Sequence, residues 1–69
     1  MGNWQTVYKS THQHQADIVK DVLSNSGIQA IVMNKKDSSY NNWGFFEVNV
    51  VPDDVLRAMK IIEVEIKFD

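Results

Sequence analysis

The chain has 69 residues and no cysteine, and that pairing constrains its folding more than any other feature. A domain this small buries only about 60% of the surface that its unfolded chain exposes. Chains of this length usually add a disulfide or a structural metal. Without cysteine no disulfide, cysteine zinc site or thiol nucleophile can form. The core must come from side-chain packing alone or be completed by a partner subunit. Hydrophobic residues make up 43% of the sequence, too many for a disordered segment. Residues 1–69 are therefore expected to form a single domain.

Charge and hydropathy remove several function classes. Seven Lys and Arg stand against nine Asp and Glu, which gives no basic footprint for nucleic acid. No apolar run approaches the roughly 18 residues of a membrane span. Residues 1–10 lack a charged start followed by an apolar stretch, so no secretory signal is expected. The cytoplasm is the expected compartment for such a cysteine-free chain. The opening Met1-Gly2-Asn3-Trp4-Gln5-Thr6 matches a myristoylation pattern by letter, but Trp4, Val7 and Tyr8 read as the start of a strand.

The periodicity changes along the chain. Residues 4–9 (WQTVYK) are rich in β-formers. Ser10 and Thr11 can cap a following helix. Over residues 12–25, Ala16, Val19, Val22 and Leu23 recur at helical spacing with Ile18 beside them, and a weak Asp17–Lys20 pair is possible on the other face. Gly27 suits the left-handed position past a helix end, with Ile28 supplying the accompanying apolar contact. Residues 28–34 (IQAIVMN) predict a strand with Ile28, Ala30 and Val32 on one face and Ile31 and Met33 on the other. Residues 35–44 (KKDSSYNNWG) predict the longest loop. Residues 45–51 (FFEVNVV) alternate as a strand. Pro52, Asp53 and Asp54 then open a second helix, in which Val55, Met59, Ile62 and Ile66 form an apolar stripe with Leu56 beside it. Residues 62–68 fit a strand by alternation, but no turn residue precedes them, and a helix running to about Glu65 is the simpler reading.

The order β-α-β-β-α, with a closing β left open, predicts an α+β fold: a ferredoxin-like sandwich with two helices on one face of an antiparallel sheet. The other sheet face would carry apolar residues, Phe45 and Val51 among them. Apolar residues on both faces of one sheet in so short a chain point to self-association.

The landmarks VYKS, a helix ending SNSGI, IQAIVMN, a variable loop and FEVNVVPDD before a helix resemble a small bacterial family labelled "putative signal transducing protein". The resemblance covers roughly residues 7–66 and rests on fold punctuation rather than a catalytic signature. It implies a ferredoxin-like (GlnB-like) fold of the kind seen in nitrogen-regulatory PII proteins. There the long loop between the second and third strands contacts partners, and nucleotide binds between subunits. Residues 35–44 occupy the matching place, but the loop is half as long or less and no glycine-rich phosphate loop is present.

Few residues suit chemistry. His12 and His14 form an H-x-H pair at a helix start, where i and i+2 face apart; two His without a fixed carboxylate make a poor metal site. Asp53 and Asp54 are adjacent and fit capping better than acid/base work. Ser10 and Ser24 lack a motif base. No catalytic, metal or cofactor site is expected. The candidate binding residues are Lys35, Lys36, Tyr40, Asn42 and Trp43, because Tyr and Trp in a polar setting are the types that carry interface energy. The alternative for Trp43 is to fold back over an open sheet end, and Trp4 is expected to pack near the sheet edge. The expected function is a non-enzymatic regulatory binding module, a homo-oligomer acting through residues 35–44 on a protein partner or small metabolite. The rivals are a dimeric ferredoxin-like enzyme with an inter-subunit cleft, testable at His12, His14, Glu47 and Asp53, and a purely structural interaction domain.

Overall fold

The computed structural model describes residues 3–36 and 44–67. Its elements are β1 (Gln5–Ser10), α1 (Gln13–Asn25), β2 (Ala30–Lys36), β3 (Gly44–Val50), a 3-10 turn (Pro52–Asp54) and α2 (Val55–Glu65). The fold is α+β, as the pattern predicts. β3 lies between β1 and β2 and pairs antiparallel with both. β1 and β2 are therefore joined by a helical crossover around a strand inserted later, which is the split βαβ unit of a ferredoxin-like arrangement.

Register sets the two faces, because cross-strand partners point the same way. On one face the rows are Gln5, Val50 and Ala30, then Tyr8, Val48 and Val32, then Ser10, Phe46 and Asn34. This is the core face. Val48, Val50 and Ala30 are buried with Ala16, Val19 and Leu23 of α1, Ile28, and Ala58 of α2. Both helices therefore lie on this side. Val7 is the extra residue of a bulge between Thr6 and Tyr8, and it also packs against the core.

The first helix begins one residue later than expected and is capped differently. His12 is the N-cap and contributes no side-chain bond. The Ser10 hydroxyl accepts from the His12 N–H at 3.0 Å and donates to Gln15 Oε1 at 2.7 Å, so it fastens the turn before the helix rather than its first free N–H. No Asp17–Lys20 ion pair forms. The helix end follows the sequence closely. Gly27 has φ 85°, and the Ile28 N–H reaches Leu23 O at 2.9 Å while the Gly27 N–H reaches Ser24 O at 3.0 Å. That bond pair is the Schellman arrangement, and Ile28 and Leu23 are both buried in the core.

The hairpin corrects the expected loop. Lys35 and Lys36 are strand residues, paired with Phe45 and Gly44. Turn-forming residues begin only at Asp37, and lysine suits an edge strand, where its charge discourages further pairing. Tyr40, Asn42 and Trp43 lie outside the described residues, as does the side chain of Lys36.

After Val51 the chain makes a 3-10 turn before α2. Neither Asp53 nor Asp54 caps with its side chain; the Asp54 carboxylate instead accepts from Arg57 at 3.4 Å. α2 ends at Glu65 and Ile66 is extended, so the helical reading of the tail holds. The stripe is turned from its expected position. Val55, Ile62 and Ile66 do pack on the core, but the buried residue between them is Ala58, with Ile61 beside it, while Met59 is half-exposed and Leu56 almost fully exposed. Two overlapping stripes share Val55, Ile62 and Ile66. Packing against α1 and the sheet selects the one with the small alanine.

Candidate functional site: the uncovered sheet face

Among the described residues, no helix lies on the opposite sheet face. Its rows are Thr6, Asn49 and Ile31; Lys9, Glu47 and Met33; and Phe45 with Lys35. Ile31 and Phe45 are half-buried and Met33 is exposed. Trp4, just before β1, is exposed rather than packed at the edge. Ile31, Met33 and Phe45 lie along the arms of the hairpin leading to residues 37–43. Lys9 and Lys35 border them at the hairpin end, and the Lys9 Nζ lies 5.4 Å from the Phe45 ring centroid. Such an exposed cation–π contact contributes about 0.5–1 kcal/mol.

A polar chain crosses the centre of the face. Thr6 Oγ1 lies 2.9 Å from Asn49 Oδ1 and 3.1 Å from Glu47 Oε1. Asn49 is 97% buried, with 3% of its surface exposed, yet its Nδ2 has no hydrogen-bond partner. An orphaned buried amide is costly, about 1–3 kcal/mol. A half-turn of the amide would let Nδ2 donate to Thr6 and the Thr6 hydroxyl donate to Glu47. The trio therefore has two arrangements, and each leaves one amide group short of a partner.

The titratable residues that could have suggested catalysis do not converge. His12 and His14 are exposed at the start of α1, their ring centroids 5.8 Å apart. Asp53 is exposed in the 3-10 turn, and Glu47 lies on the sheet face away from both helices. Among the described residues no three of His, Asp and Glu gather in a group that could hold a metal.

Of the expected binding residues, the structure places Lys35 on the uncovered face and Lys36 at the start of the hairpin. Sequence reasoning put Ile31 and Met33 on the face away from Ala30 and Val32, and Phe45, Glu47 and Asn49 on the face away from Val48 and Val50, as the register has them, but it did not single out Thr6 or Asn49 as site residues. The alternation of β3 already set Asn49 on the Phe45 side. Strand pairing then sets it between Thr6 of β1 and Ile31 of β2.

A family model described as "putative prokaryotic signal transducing protein" matches residues 4–65. No curated protein and no solved structure matches significantly.

Proposed function

We propose that this chain, which belongs to the family described as putative prokaryotic signal transducing proteins, is a non-enzymatic regulatory module of the cytoplasm. It docks a protein partner on the uncovered sheet face and adjoining hairpin, and it self-associates. The observation that carries this reading is the face itself. Ile31, Met33 and Phe45 lie beside a row of Thr6, Asn49 and Glu47 in which Asn49 is buried and incompletely bonded, with lysines at one border. Non-obligate protein interfaces mix apolar and polar side chains in this way. The sequence between β2 and β3 carries Tyr40, Asn42 and Trp43, and Tyr and Trp are residue types that anchor interfaces.

Photo-crosslinking tests the reading. A crosslinker at Met33 should trap a defined host protein, and one at the exposed Ser24 of α1 should not. The purified pair should then lose at least about tenfold in affinity on Ile31→Asp or Trp43→Ala, the range for interface anchors. Unchanged affinity in both variants would remove the sheet face as the docking surface.

A further inference from the structure

We draw no further inference here: the strongest candidate, the outward side of α2, where Leu56, Met59 and Val64 are exposed, is an apolar surface patch for which nothing in the structure shows what covers it.

Discussion

Asn49 and Gly27 act on stability by different routes. Asn49 has the neighbours of a core residue and the bonding of a half-satisfied amide. Replacing it with an apolar residue of similar shape removes the orphan donor at the loss of one hydrogen bond to Thr6. Asn49→Leu should therefore be neutral, or more stable by about 1 kcal/mol in urea unfolding; a loss beyond about 1 kcal/mol would show that the Thr6–Asn49 bond outweighs the orphan. Gly27 is purely a matter of backbone. Its φ of 85° lies in the left-handed region, and nothing lies within 4 Å of a Cβ built there. Gly27→Ala should cost about 1 kcal/mol by conformation alone, and Gly27→Asn less, because asparagine tolerates that region. Equal losses for the two would point to a contact rather than backbone strain.

At the level of elements, α2 shows how one stretch of sequence supports two readings. Val55, Ile62 and Ile66 fit a stripe with either Met59 or Ala58 between them. The structure turns the helix so that Ala58 is fully buried while Leu56 stays 82% exposed. Ala58→Leu should then overpack the contact and cost about 1–3 kcal/mol. In dilute solution, Leu56→Ala should change stability by no more than about 0.5 kcal/mol. Thermal unfolding of the two variants checks the orientation, and the opposite ranking would mean that the helix is turned the other way. The hairpin gives the second lesson at this scale. Lys35 and Lys36 look like loop residues because they adjoin a polar run, yet the ladder with Phe45 and Gly44 carries them into β2.

The whole domain is a slab, its Cα framework spanning 36 × 34 × 15 Å. That thickness holds one sheet and one helix layer, so a single apolar layer between them forms the core. Its fully buried members are few and mostly small: the largest are Leu23, Ile28, Val19, Val48 and Val50. A core of this kind, without a disulfide, supplies no more than about 3–5 kcal/mol. Leu23→Ala, which costs about 2–5 kcal/mol at a buried leucine, should unfold most of the population at 25 °C, as read by near-UV circular dichroism; a cooperative transition of near wild-type midpoint would mean that the core is stronger than its size suggests. Any bound partner adds to stability by mass action. Self-association therefore predicts a melting temperature that rises between about 20 μM and 1 mM protein, and a melting temperature independent of concentration would count against it.

Much of this protein was determined by sequence that acts locally. The alternation of β3, the spacing of Ala16, Val19 and Leu23, and the Gly27-Ile28 stop specify their elements within a few neighbouring residues, so those elements, the α+β class and the two sheet faces are legible without coordinates. What only the tertiary structure decided depends on residues distant in the chain. The place of Asn49 between Thr6 of β1 and Ile31 of β2 depends on strand pairing. The turning of α2 onto Ala58 needs α1 and the sheet beneath it. The reach of β2 to Lys36 needs a partner strand to supply its hydrogen bonds. Periodicity says which side chains share a face, but only packing says how closely that face is covered. For that reason the uncovered sheet strip and the exposed side of α2 emerge from the structure.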